Sequence, residues 1–290
     1  MKLAVQSEGY IKRYGIDEAI VRLKKIGYTC LSYCIEDNYN SPMVNKWSEN
    51  ELCSFYSHLG KKIKEAGMEL SSVSVKTQMF SDWSAASFEM RKELYLRCVR
   101  ACGYAACKRL ILPLVTYHSR VANAHGKSRA IAEEMLDHIM PEAKRLGVEI
   151  ALCNPCVTLG VYPFGCDADE LAEFANEKGV GVVIDPVNAH MSGTDLRELI
   201  GLCGEKLAGI FVKDYESAFL DTAMPMMGEV DYFTIIEALK LAPQDSEVIM
   251  MLTEVYHRFS DLENQDGMYA AMDSFFYKMG KLISKGGGLE

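Results

Sequence analysis

The chain has 290 residues, 49% of them hydrophobic and 24% charged, with a formal net charge of −9 at pH 7. Such a length holds two small domains or one α/β barrel, since barrels of about 250 residues form a single domain. The acidic balance argues against nucleic acid, whose binding rests on Lys and Arg neutralising phosphates. No apolar run approaches a membrane span, and Leu3-Ala4-Val5-Gln6 after Met1-Lys2 is too short for a secretory signal, so a cytoplasmic location is expected.

Strand and helix signals alternate along the chain. Leu3–Gln6 is a predicted strand and Asp17–Ile26 a helix stopped by Gly27; Cys30–Cys34 is the second strand. A helix opens at Ser48, with Glu51 completing a capping box, and runs to Gly67. Glu69–Val75 is the third strand, a helix from about residue 87 to Cys102 is closed by Gly103, and Arg109–Leu114 is the fourth strand. The next helix spans Ser128–Leu146, with a kink expected at Pro141. Val148–Cys153 leads to a helix opened by Asp167, with Glu170 as a second capping box.

The sixth strand, Val180–Ile184, is a β-branched apolar run of the kind buried on both faces of a parallel sheet. Asp185 ends it and Pro186, lacking an N–H, stops the ladder. Asn188 and His190 follow in what reads as a loop, either as site residues or as the sequel to a turn that Asp185 caps. A helix from about Thr194 to Cys203, strand Ala208–Val212, helix Tyr232–Leu241 capped by Asp231, strand Val248–Leu252 and a last helix to about Ser284 complete the pattern.

Eight strand–helix units with right-handed crossovers close into a single (β/α)8 barrel over residues 1–285, with 286–290 as a flexible tail. An open doubly wound sheet is the alternative, but no G-x-G-x-x-G follows the first strand. The ten cysteines lie mostly inside elements and read as reduced core residues; the lone Cys153-Asn154-Pro155-Cys156 is a weak redox signal.

Ligands of such a barrel meet the carboxyl ends of its strands. Those ends carry Gln6, Ser32 to Glu36, Val75 to Lys76, Thr116 to His118, Cys153 to Asn154, Asp185 to His190, Lys213-Asp214 and Glu254 to His257. Asp185, Asp214 and Glu254 are the main acids. Asn154, Asn188, His190, Lys213, Asp214 and His257 are the candidate substrate-binding residues, with Lys213 reading as the partner of a substrate oxyanion or of Asp214. Trp47 and Trp83, with Tyr39 and Phe80, fall in loops where they serve as aromatic walls or as loop anchors.

The chain resembles the xylose isomerase-like TIM barrels, the sugar isomerase/epimerase superfamily that also contains endonuclease IV. The likeness spans essentially its whole length and rests on Gly27-Tyr28, Ala101-Cys102-Gly103, Ile184-Asp185-Pro186-Val187-Asn188, Val212-Lys213-Asp214-Tyr215, Gly228-Glu229-Val230-Asp231-Tyr232 and Glu254. The resemblance implies a divalent metal at the mouth, held by acids ending strands five, six and eight and by a His in strand seven. Asp185 and Glu254 match two of these positions, but Cys153 and Phe211 stand at the other two. A thiolate at Cys153 would favour Zn²⁺ over Mg²⁺ or Mn²⁺, with Cys153, Asp185 and Glu254 as ligands if any ion binds.

The implied activity moves a proton next to a carbonyl of a small carbohydrate, with Glu254 as general base and Cys153 as a second proton carrier. A non-catalytic sugar-binding or interaction barrel, having lost the metal, is the rival. Endonuclease-like DNA repair would need a multi-zinc histidine cluster and a basic face, which six scattered histidines and the negative charge do not supply. Dimers and tetramers are common in the family, which leaves a homo-oligomer open.

Overall fold

A computed structural model describes residues 1–37, 47–77, 85–114, 124–157, 162–216, 221–223, 225–251 and 265–285. The strands are β1 (Lys2–Gln6), β2 (Cys30–Asp37), β3 (Glu69–Thr77), β4 (Arg109–Pro113), β5 (Glu149–Cys153), β6 (Gly181–Ile184), β7 (Leu207–Val212), the short β8 (Asp214–Glu216) and β9 (Asp221–Ala223), and β10 (Glu247–Met250). All but β8 and β9 form a closed barrel of eight parallel strands, in which β10 closes against both β1 and β7. β8 and β9 make a separate antiparallel ribbon after β7.

The helices are α1 (Glu8–Tyr14), α2 (Ile16–Ile26), α3 (Glu49–Glu65), α4 (Ala85–Tyr104), α5 (Ala124–Leu146), α6 (Ala168–Lys178), α7 (Pro186–Ser192), α8 (Leu196–Cys203), α9 (Tyr232–Leu239) and α10 (Gln265–Ser284). Among the described residues no helix is long and apolar enough to cross a membrane.

Strand alternation sorts the core into two layers. Val5, Leu110, Leu112, Val182, Ile184 and Val248 point outward and pack under the helices. Ala4, Ile111, Ala151, Val183, Phe211 and Ile249 point inward and fill the barrel together with Cys30, Cys153, Ala208 and Met251. The barrel is therefore a packed core, and ligands of such a barrel bind at its carboxyl end.

Its amino end is closed by charge. Glu247, with a side chain only 3% exposed, meets the Arg109 guanidinium at 2.9 Å and accepts from the Ser71 hydroxyl at 3.1 Å. Arg109 also donates to the Ala208 carbonyl at 3.1 Å. Burial pushes the Glu247 carboxyl above its ordinary value, with Arg109 pulling the other way.

The capping box at Ser48 forms: its hydroxyl accepts from the Glu51 N–H, and Glu51 accepts from the Ser48 N–H at 2.7 Å. The one expected at Asp167 does not. Asp167 makes no side-chain cap, and Glu170 instead accepts from the Gly165 N–H at 3.2 Å and pairs with His125 at 2.7 Å. Gly103 lies in the last turn of α4 instead of just past it, and a Cβ there would stand 3.0 Å from the Leu146 side chain of the next helix. The helix expected from Thr194 starts at Leu196 under an Asp195 cap, and Asp231 caps α9 as expected. Helix α1, the β8–β9 ribbon and α7 were not anticipated.

Candidate functional site

The mouth is organised by the ends of β5, β6 and β7. Asp185 leaves β6 as the N-cap of α7, where the sequence suggested a loop: its Oδ1 accepts from the Val187 N–H at 3.0 Å and the Asn188 N–H at 3.2 Å, and Pro186 takes the first helical position. That placement suits both residues, since an aspartate oxygen satisfies orphan donors and proline has none to lose. Seven residues suffice before Gly193 ends the helix in the left-handed region.

Asn154, one residue beyond β5, continues the ladder with its side chain. Its Oδ1 accepts from the Asp185 N–H at 2.6 Å and its Nδ2 donates to the Asp185 carbonyl at 3.1 Å. Asn188 closes the circuit by donating from Nδ2 to the Asn154 carbonyl at 2.8 Å. Both amides thus lie at the mouth, the Asn154 amide bonded to Asp185 and the Asn188 amide to the Asn154 carbonyl.

The free side of Asp185 meets a cation. Lys213 Nζ lies 2.7 Å from Asp185 Oδ2, with the lysine side chain 14% exposed and the aspartate 7%. The lysine backbone is held as well, because the buried Tyr232 hydroxyl donates to the Lys213 carbonyl at 2.6 Å. Burial beside Asp214 and Asp185 raises that phenol, which keeps it a donor.

Asp214 turns away from the mouth. Fully buried, it accepts from three backbone N–H groups: Tyr215 at 2.8 Å, Gly228 at 2.9 Å and Val230 at 3.0 Å. It staples the return of the chain from β7 to α9. Gly228 is required there, since any Cβ would collide with the Tyr215 carbonyl and the Asp214 carboxylate. His190, on the outer part of α7, pairs with Glu229 at 3.4 Å and stands beside the Tyr215 ring. Glu229 belongs to the stapled turn and was not singled out from the sequence as a partner.

Cys153 points into the barrel interior among apolar neighbours. Burial first, and then the negative charge of Asp185, push its thiol well above the ordinary value, so it is held protonated at neutral pH. Phe211 is an interior wall residue. On the opposite side, the inward-facing Gln6, which ends β1, and Ser74, within β3, each bury a side-chain oxygen that has no hydrogen-bond partner among the described residues. Ser74 carries no sequence signal beyond its place on a strand. Trp47 packs on Phe55 at 5.2 Å and its carbonyl is held by Arg97, which makes it a loop anchor. Glu254, His257 and His118, with Tyr39, Phe80 and Trp83, lie outside the described residues.

Among the described residues, the donor set at the mouth does not fit a divalent ion. Asp185 Oδ1 is used twice by the helix cap and its Oδ2 already carries an ammonium. Phe211 has no donor atom, and Cys153 is directed into the apolar interior. No three His, Cys, Asp or Glu side chains converge among the described residues.

A sequence profile described as xylose isomerase-like TIM barrel matches residues 20–266. No curated protein is a significant match. Similar solved structures include a D-psicose 3-epimerase in the presence of D-fructose, at 16% identity and a TM-score of 0.72, covering 99% of this chain and 100% of that one. A second, the D-psicose 3-epimerase of Clostridium cellulolyticum H10 with D-tagatose, is 14% identical with a TM-score of 0.72, covering 98% and 99%. The 3-keto-D-glucoside 4-epimerase of E. coli is 14% identical with a TM-score of 0.68, covering 96% and 99%.

Proposed function

Because the chain belongs to the xylose isomerase-like TIM barrel family, we propose that it is an isomerase or epimerase that moves a proton next to a carbonyl of a small sugar or polyol-derived substrate. The observation that carries this reading is the Lys213–Asp185 pair, which holds an ammonium at the carboxyl end of the barrel, above the apolar interior layer. The structural neighbours named as epimerases of D-psicose and of a 3-keto-D-glucoside support the same class of ligand.

In the proposed reaction Glu254 takes the carbon-bound proton beside the carbonyl. The electron pair of that C–H bond becomes the carbon–carbon double bond and the carbonyl π pair moves onto oxygen, giving an enediolate. A proton delivered from water to the other face, with Glu254 giving its own proton up to solvent, yields an epimer; return of the proton to the neighbouring carbon, with the hydroxyl proton shifting to the oxyanion, yields an isomer. Cys153, a neutral thiol buried in the barrel interior, is not suited to taking that proton. Asn154 and Asn188 act through Asp185, whose position sets that of Lys213.

The test is solvent exchange. A panel of keto- and aldo-sugars incubated with the protein in D₂O should include one whose proton beside the carbonyl is replaced by deuterium. Glu254→Gln should slow that exchange on the order of 100-fold or more, with binding kept within an order of magnitude. Exchange that survives the substitution would place the base elsewhere. A second reading, a sugar-binding barrel without catalysis, draws on the way Asn154, Asn188 and Asp185 bind one another. Sugars that bind and never exchange a proton would favour it.

A further inference from the structure

Asp185 Oδ2 is the carboxylate oxygen that the helix cap leaves over, and it faces the mouth. In a metal-dependent barrel such an oxygen would bind the ion; here the Lys213 ammonium stands on it at 2.7 Å. Cys153 and Phe211 stand at the other expected ligand positions, on β5 and β7, with a thiol buried in the apolar interior and a hydrocarbon ring. The lysine is also rigidly carried, its carbonyl held by Tyr232 and the next residue stapled by Asp214. Across the mouth, Gln6 and Ser74 present buried oxygens with no partner among the described residues, a cost that a hydroxylated ligand would remove.

We infer that the Lys213 ammonium holds the cation position of this mouth, and that it is the charge which meets the carbonyl or enediolate oxygen of the ligand. Asp185 is then a positioning residue that anchors the lysine, and the site works without a divalent ion. The part of this assignment that concerns the ligand rests on the isomerase reading above. An ammonium gives hydrogen bonds and charge to a developing oxyanion, which is the service a Lewis acid would perform. The replacement is consistent with the chain's own residues: a second cation on Asp185 Oδ2 would be repelled by the first.

Two measurements decide it. In the first, Mn²⁺ and Zn²⁺ are titrated by calorimetry into the full-length protein stripped with EDTA and dialysed. The expected result is no stoichiometric site and no rise in melting temperature with either ion. One equivalent of either, lost in Asp185→Asn, overturns the assignment, and Zn²⁺ would then implicate Cys153.

In the second, a four-carbon sugar hydroxamate (threonohydroxamate), whose planar O–C–N–O array copies an enediolate, is bound in millimolar EDTA. Lys213→Met alone strands the Asp185 charge, so the neutral pair Lys213→Met with Asp185→Asn serves as the variant; the asparagine Oδ1 keeps the helix cap. That double variant should unfold cooperatively yet bind the hydroxamate on the order of 10- to 100-fold more weakly, with Lys213→Arg recovering part of the loss. Equal binding by wild type and double variant, or binding that EDTA abolishes, overturns the assignment. A probe that binds no form of the protein counts against the isomerase reading, and the ion titration, which needs no sugar, then decides the Lys213 assignment by itself.

Discussion

Asp214 offers the sharpest test of how the residues after β7 are used. Its carboxylate accepts from three backbone N–H groups, two on Oδ1 and one on Oδ2, in a fully buried position. Asp214→Asn keeps an oxygen for Tyr215 and Val230 but turns an NH₂ group toward the Gly228 N–H. The two surviving bonds lose their charge assistance, about 1 kcal/mol each, and the stranded Gly228 donor costs about 1–3 kcal/mol. Relief from burying a carboxylate offsets part of this, leaving a net loss of about 2–4 kcal/mol.

With an unfolding entropy of about 2.1 cal/mol/K per residue, a loss near 3 kcal/mol lowers the melting temperature of this chain by roughly 5 °C. Differential scanning calorimetry measures that shift. Hydrogen exchange by mass spectrometry adds the location, since the amides of Gly228 and Val230 should lose protection while those of β5 and β6 keep theirs. A variant that melts within about 1 °C of wild type, with protection of residues 225–230 unchanged, would refute the staple. It would return Asp214 to the ligand-facing role expected from the sequence alone.

Arg109→Met should cost about 3–5 kcal/mol, because it leaves the Glu247 carboxylate buried without its counter-charge. Glu247 has a raised folded pKa, so its penalty grows as pH rises through that value; the deficit of the variant in urea melts should shrink as pH is lowered, and a pH-independent deficit would refute the account. Asn154→Ala should lose about 2–4 kcal/mol with the Asp185 amide deprotected, since both of its side-chain bonds to that residue disappear. Glu142, whose carboxyl is drawn down to about 2 chiefly by its hydrogen bonds from Arg145 and then from Arg100, should contribute stability above its unfolded value and lose it as pH falls from about 4.5 toward 2. Arg145 is largely exposed, so the difference between wild type and Glu142→Gln at pH 5 should be only about 1 kcal/mol, vanishing by pH 2.

The barrel is legible in the sequence because its signals are local. Val182, Val183 and Ile184 are buried on the two faces of one strand and therefore read as an unbroken apolar run. Ser48 and Glu51 satisfy each other within a single turn, so their spacing alone announces a helix. The same spacing misleads at Asp167, where Glu170 has better partners in Gly165 and His125 from outside the turn. Helix α7 was hidden by its shortness, although Asp185-Pro186 is itself a cap followed by a first-turn proline. The expected strand eight began one residue late because Glu247 looks like a surface acid until Arg109, far away in sequence, is seen to pair with it.

The site is less legible for a related reason. At a strand end the sequence shows which polar groups are present but not whether each faces a ligand or a neighbour. Asp185, Asp214 and Glu254 read as equivalent acids. In the fold Asp214 is spent on three amides and Asp185 on two amides and Lys213. The choice between Asp214 and a ligand as partner of Lys213 was open in the sequence, and neither alternative included Asp185, which belongs to the adjacent strand. Strand pairing brings Asp185 to it: β6 and β7 run side by side, Ile184 beside Ile210, so the residues just beyond them meet. Once Asp185 is committed in that way, it cannot act as a free carboxylate base, and the proposed proton transfer falls to Glu254 with Lys213 as its electrostatic complement. The separation of Asp214, which serves structure, from Asp185, which anchors a cation, is a consequence of where β7 and β6 place them.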